Sequence, residues 1–238
     1  MSAWNIIIPA VAGGGTAAWG TFHPRSRLFG PIIRHAGAGC ALTFDDGPNP
    51  RVTPRLLTLL DKYEVPATFF VLGKYVSEHP GLTAEIAARG HVIGNHTYSH
   101  RSLVFFSRQG IVDELRRCDE AVFRATGNRT TCARPPYGFR GPQFFAAART
   151  VGLLQIVMWS VNGHDWKLQH ESAMRRRLEK VGAGDIVLLH DGDHQTSNSI
   201  REHMLDALEF WIPRWKDAGI RFTSQLPASQ HVKMVRLE

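Results

Sequence analysis

The chain has 238 residues, enough for one large α/β domain or two small ones, and its 43% hydrophobic content supports a buried core and excludes a disordered polymer. A formal charge of +7 favours anionic surroundings such as nucleic acid, lipid headgroups or an acidic cell-wall polymer, without selecting among them. Cys40, Cys118 and Cys132 are an odd number without CxxC spacing, which argues against a disulfide framework or a thiolate zinc site and leaves room for one bridge at most.

The first 22 residues carry no charged side chain. Trp4 and Trp19 bracket Ile6-Ile7-Ile8 and a glycine-rich stretch ahead of Arg25 and Arg27, the pattern of a weak membrane anchor with interfacial aromatics. Asn5, Pro9 and the glycines from Gly13 to Gly15 lower its insertion tendency. Ala10-Val11-Ala12 resembles a signal-peptide cleavage site but lacks the basic start. The other reading is an apolar segment packed across the base of the fold. Residues 1–36 are therefore set apart, as anchor or packing extension, from a catalytic domain over 37–238.

Beyond Phe22, short apolar runs alternate with amphipathic stretches. A strand around Cys40 to Phe44 precedes a helix from about Pro54 to Tyr63, with Thr53 as cap and Pro54 at the first helical position. Thr68 to Val71 is a second strand, followed by helical sequence to Arg89 and a stop at Gly90. His91-Val92-Ile93-Gly94 is a third. Ile111, Leu115, Cys118 and Val122 then recur at helical spacing before Gly127 and are core candidates.

Further strands are expected near Thr131 to Arg134, Leu154 to Ser160, Asp185 to His190 and Ile220 to Thr223. Helices are expected near Pro142 to Val151, Ser172 to Val181 and Ile200 to Lys216. The densest basic cluster, Arg175-Arg176-Arg177, falls on one of these and reads as a solvated face. Repeated strand and helix predict parallel strands. Asp45, Asp46, a histidine pair, Arg134, Asp165 and His190 all fall where an apolar strand ends, so they would gather at one mouth. The expected architecture is a single distorted α/β barrel, (β/α) in repeat, of seven or eight strands.

Two neighbouring carboxylates on a strand point to opposite faces, so Asp45 and Asp46 could serve different partners. As mere turn carboxylates before Gly47-Pro48 they would repel each other unless cations separated their roles. His96 and His100 are four apart, a spacing that brings two imidazoles to one ion if the segment makes a helical turn. With Asp46 as the third ligand, the set leaves coordination positions open, as in catalytic zinc sites. Zinc fits best, and cobalt, nickel or manganese also suit mixed imidazole and carboxylate ligands. Thr97 stands where an HExxH metalloprotease needs its glutamate, which disfavours that class.

Five segments in register resemble the polysaccharide deacetylase family, carbohydrate esterase family four, from about Leu42 to at least Asp191. They are Thr43-Phe44-Asp45-Asp46-Gly47-Pro48, His96-Thr97-Tyr98-Ser99-His100, Arg134-Pro135-Pro136-Tyr137-Gly138, Asn162-Gly163-His164-Asp165-Trp166 and Leu188-Leu189-His190. The resemblance implies that Asp46, His96 and His100 hold one divalent metal ion while Asp45 is the general base. It implies that Arg134 pairs with that base, and a guanidinium there should lower the pKa of Asp45. His190 is implied as the general acid that protonates a departing amine, with Asp165 orienting it.

The backbone N–H of Tyr137 is implied as an oxyanion donor, aimed by the two preceding prolines. Trp166 and Leu188 match apolar walls around an acetyl methyl. Asn162 departs from the aspartate common at the start of the fourth segment, which predicts an altered local hydrogen-bond network rather than loss of activity.

The expected function is removal of N-acetyl groups from N-acetylglucosamine units of peptidoglycan or a chitin-like polysaccharide. An acetyl-ester or other amide substrate on the same site is the enzymatic alternative, and a non-catalytic carbohydrate-binding module is the alternative of another class. No nucleic-acid partner is expected, since no motif supports one. An extracytoplasmic or membrane-associated location follows from the substrate class and the apolar start.

Overall fold

The computed structural model of the chain describes residues 15–167 and 170–227. Its central part includes two largely apolar runs, β1 (Ala41–Asp45) and β7 (Ile186–His190), every residue of which is buried. Strands covered on both faces read as unbroken apolar runs rather than alternating ones. With β2 (Ala67–Val71), β3 (Val92–Asn95), β4 (Cys132–Ala133), β5 (Gln155–Ile156) and β6 (Val161–Asn162) they form a seven-stranded parallel sheet in the order β5-β4-β3-β2-β1-β7-β6. It is curled into a half-barrel.

The curl explains one departure from the sequence reading. Of the strand expected from Leu154 to Ser160 only Gln155–Ile156 is strand, at one edge of the sheet, and the next strand, Val161–Asn162, begins just beyond it on the opposite edge, because the chain crosses the barrel's opening between them. Val157 bonds to Ala133 and bridges Ile33, and three residues later Ser160 bonds to Ile186 on the far side. The strand expected at Ile220 to Thr223 is a single bridge from Phe222 to Cys40.

Helices α1 (Thr53–Lys62), α2 (Gly73–Glu78), α3 (Pro80–Ala88), α4 (Arg108–Thr126), α5 (Pro142–Thr150), α6 (Glu171–Leu178) and α7 (Glu202–Asp217) cover the sheet. The helix expected to run up to Arg89 is broken at His79, whose ψ of 56° lies outside the helical region that a following proline disfavours. Helix α4 matches its signals: Ser107 accepts from the Gly110 N–H, and Gly127 closes it at φ 74°. Its apolar stripe of Ile111, Leu115, Cys118 and Val122 is buried.

Thr53 is not the cap of α1. Val52 holds that position, and the Thr53 hydroxyl is drawn instead to the buried Asp191 carboxylate while it accepts from the Asn49 N–H. All three cysteines are reduced and buried, which pushes each thiol up to about 12.

Trp4, Ile6-Ile7-Ile8 and Ala10-Val11-Ala12 lie outside the described residues. Residues 15–22 are helical, and the following segment runs beside the opening, from Thr21 at the loop after β4 to Ala36 before the start of β7. The buried Arg140 guanidinium ties it there by donating to the carbonyls of His23, Pro24 and Ser26 as well as Gly138. Among the described residues no helix is long and apolar enough to cross a membrane.

Candidate metal centre and catalytic cleft

Parallel strands bring their carboxyl ends to one rim, and register sets Asp45 at the end of β1 directly opposite His190 at the end of β7. Asp46 follows at φ 69°, a left-handed turn that swings its carboxylate into the same cavity. Strand alternation, which would send the two acids to opposite faces, has already ended at this residue.

His96 and His100 converge without a helical turn. Thr97 at φ 71° and His100 at φ 59° fold the segment back on itself, and such angles persist in non-glycine residues only where surroundings hold them. Asn95 provides part of that hold, accepting from the Thr97 N–H at 2.9 Å and donating to the Leu115 carbonyl. Glu114 provides the rest, accepting from the Tyr98 N–H, the Ser99 N–H and the Ser99 hydroxyl at 2.9 to 3.1 Å. Sequence reasoning missed Glu114, although an acid inside the apolar stripe of α4, three residues after Ile111, was a legible signal.

The donor set fits a divalent cation. One ligand atom from each of Asp46, His96 and His100 lies within 4.8 Å of the others, and all three side chains are buried. His96 Nδ1 is 2.6 Å from the Arg134 carbonyl, which fixes the proton there and leaves the Nε2 lone pair facing the cavity. Asp46 Oδ1 is buried without a hydrogen bond, although His100 Nε2 and His96 Nε2 stand 3.2 and 3.5 Å from it. Burial pulls His96 down to about 3 and pulls His100 down as well, so both rings are neutral and able to ligate.

Behind this group Arg134 Nη1 donates to Asp45 Oδ1 at 2.7 Å and to the Thr43 hydroxyl at 2.8 Å. The guanidinium also reaches the carbonyls of Val157 and Met158 and lies over the Phe70 ring. Sequence reasoning expected it to lower the Asp45 pKa. Burial wins instead, and the Asp45 carboxyl sits above its ordinary value even with Arg134 and His190 pulling it down. Asp46 is pushed up to about 7, by burial first.

On the neighbouring strand His190 Nδ1 meets Asp165 Oδ1 at 2.9 Å, while Asp165 Oδ2 accepts from the His190 N–H. Burial disfavours a charged His190, but Asp165, then Asp46 and Asp45, outweigh it and raise the ring to about 9. Asn162 accepts from the His164 N–H at 2.8 Å, so the residue that departs from the common pattern shapes its own turn.

Asp45, Asp46, His96, His100, Tyr137, Trp166, Leu188 and His190 all line one cavity of about 430 Å³. Arg134 and Asp165 stand behind it, bonded to Asp45 and His190. Tyr137, at φ 58°, sets its ring edge-on to His100 at 4.7 Å. His194 is a second residue the sequence reading missed: its ring stacks on His100 at 4.6 Å, and its carbonyl accepts from Lys74 Nζ. Nothing in the local pattern marks it, because its place depends on how the loop after β7 folds back.

Residues 35–156 match the family described as polysaccharide deacetylase. The chain is 40% identical over 161 residues to a peptidoglycan-N-acetylglucosamine deacetylase of Listeria monocytogenes, a match spanning 67% of this chain and 34% of that protein. It thus spans about a third of that relative's length. It is 35% identical over 190 residues to a chitooligosaccharide deacetylase of Rhizobium leguminosarum bv. trifolii, covering 77% of this chain and 88% of that one. A solved structure of a peptidoglycan N-acetylglucosamine deacetylase, in complex with a naphthalenyl N-oxidanyl-benzamide, superposes with a TM-score of 0.72 at 34% identity, over 80% of this chain and 87% of that chain.

Proposed function

Since the chain belongs to the polysaccharide deacetylase family, we propose that it is a metal-dependent hydrolase removing N-acetyl groups from N-acetylglucosamine units of peptidoglycan or a chitin-like polysaccharide. One observation carries the reading: a buried acid and an acid-paired histidine stand side by side on neighbouring strands in a cavity that also holds the Asp46, His96 and His100 cluster.

A divalent cation held by those three side chains, zinc first among the candidates, would supply Lewis-acid chemistry to the acetyl carbonyl. Asp45 takes a proton from the attacking water, and Arg134 fixes the carboxylate that does so. The Tyr137 N–H steadies negative charge developing on the carbonyl oxygen. His190, its Nδ1 engaged by Asp165, presents Nε2 to the cavity and protonates the departing amine. Trp166 and Leu188 wall the acetyl methyl. The products are acetate and a free amino sugar.

Residues 37–238 are proposed as the catalytic domain and 1–36 as its extension. A wall-polymer substrate places the enzyme outside the cytoplasm, where a basic surface suits an anionic polymer. The test is acetate release by metal-loaded protein from chitin oligomers, peptidoglycan and acetylated xylan. Release from the N-acetylated glycans, abolished by Asp45→Asn, is expected. Release from xylan alone would point to an esterase, and glycan binding without acetate would point to a binding module.

A further inference from the structure

A shallow, open groove of about 500 Å³ lies beside the catalytic cavity and is lined by Asn162, His164, Ala173, Arg176, Arg177 and Lys180. Asn162, an uncharged side chain, lines both, so the two adjoin there. A row of rings leads from one to the other: Trp166 packs edge-on to His190 at 5.5 Å, and His164 lies 4.8 Å from Trp166 on the side of the groove.

The sequence reading took Arg175-Arg176-Arg177 as one solvated face. The structure divides it. Arg175 lies over the Phe210 ring at 3.9 Å, and its carbonyl accepts from Trp211 Nε1, so it belongs to the packing of α6 on α7. Arg176 and Arg177 line the groove instead, with Lys180 one turn beyond Arg176. Arg176, Arg177 and Lys180 give its lining three cationic side chains. Exposed cations attract weakly one by one, but several lining one concave wall reinforce each other. Guanidinium groups in addition match the planar oxygen pairs of carboxylates and phosphates.

We infer that this groove is a subsite for an oxyanion borne by the sugar next to the one being deacetylated. The inference rests on the glycan-deacetylase reading and narrows it, favouring an acidic glycan over neutral chitin. Two sources share the chemistry: the carboxylate of a sugar acid and a phosphate ester on the glycan.

The test is calorimetric affinity of the metal-loaded protein for four matched N-acetylglucosamine oligosaccharides: neutral, carboxylate-bearing, the same after carboxyl reduction, and phosphate-bearing. Acetate release is followed in parallel. An anionic oligosaccharide should bind about tenfold tighter than the neutral ones, as two or three surface ion pairs would give. That advantage should shrink as salt is raised. Whichever anion gains identifies the source.

Arg176→Gln with Arg177→Gln, and separately Lys180→Gln, should remove the advantage while leaving affinity and acetate release on the neutral oligosaccharide unchanged. Equal binding of anionic and neutral forms, or equal weakening of both by the variants, overturns the subsite. Acetate release without charge discrimination would defeat this inference alone. Absence of release from every oligosaccharide would instead defeat the deacetylase reading, and the affinities would still decide the charge question.

Discussion

Arg134 Nη1 lies 2.7 Å from Asp45 Oδ1 with the two side chains only 0% and 5% exposed, so neither charge has water to fall back on. Removing one partner of such a pair strands the other, at a cost of about 3–5 kcal/mol. Arg134→Ala should destabilise the fold by that order in a denaturant titration. Asp45→Asn keeps the shape and an acceptor oxygen and should cost less stability, yet lower turnover by about 10²- to 10⁴-fold, the usual worth of a general base. Metal content of Asp45→Asn should match the parent, because Asp45 is not among the three proposed ligands.

Metal affinity should fall in acid because of Asp46. His96 and His100 are neutral through burial, whereas Asp46 at about 7 still carries its proton at lower pH, and a cation must displace it. Competition against a chelator should show affinity rising about tenfold per pH unit below about 7 and levelling above it. A flat profile between pH 5.5 and 8 would contradict this assignment. Chelation should also lower the melting temperature, since the ion binds the folded chain preferentially.

The alkaline limb of activity should follow His190, the proposed general acid. Its folded pKa of about 9 lies above the ordinary value of about 6.5. The ring therefore stays protonated to about pH 9, and the acid form disappears as pH rises through that value. The same sign holds for stability: the ion pair with Asp165 contributes fully below about pH 6.5 and is lost as pH climbs through about 9. Asp165→Asn should move the alkaline limb of kcat/KM towards neutrality; an unmoved limb would assign it to another group.

Gly192→Ala should disturb the metal site without unfolding the chain. A Cβ on Gly192 would overlap the Asp46 carbonyl and crowd the Gly47 nitrogen, both backbone atoms that cannot rotate aside. Overpacking of this kind costs about 1–3 kcal/mol. The displaced backbone carries a proposed ligand, so metal affinity should drop further than the melting temperature suggests.

Glu114→Ala should loosen the turn between His96 and His100. Three donors from Tyr98 and Ser99 would lose their acceptor, at a cost of about 1–3 kcal/mol in a buried setting. Weaker metal binding with the α4 helix intact, read by chelator competition and circular dichroism, is the expected outcome. Glu114→Gln should recover much of it.

Eight of the ten residues named from the sequence line one cleft, with Arg134 and Asp165 bonded to two of them from behind. Asp45, Asp46, His96, His100, Arg134, Asp165 and His190 were legible in the local pattern, whereas Tyr137, Trp166 and Leu188 came from the family resemblance alone. Those seven fall where an apolar run ends, and in a parallel α/β fold such positions share a rim. Glu114 and His194 escaped because their importance arises from what a distant loop presses against them. The strand expected from Leu154 to Ser160 failed as one unit because no local pattern tells a chain where a sheet's two edges come near each other.

From composition and spacing alone came the parallel α/β class, the buried strands, the helix-stopping glycines and the residue types at the strand ends, since these follow from interactions within a few residues. Folding in three dimensions decided that Asp46 turns back to stand beside Asp45, that His96 and His100 converge through a left-handed bend, and that Asp45 holds its proton above the usual carboxylate range despite Arg134. Those outcomes depend on how much water the packed strands exclude and which carbonyls they bring near, quantities that no stretch of chain possesses until its remote partners are in place.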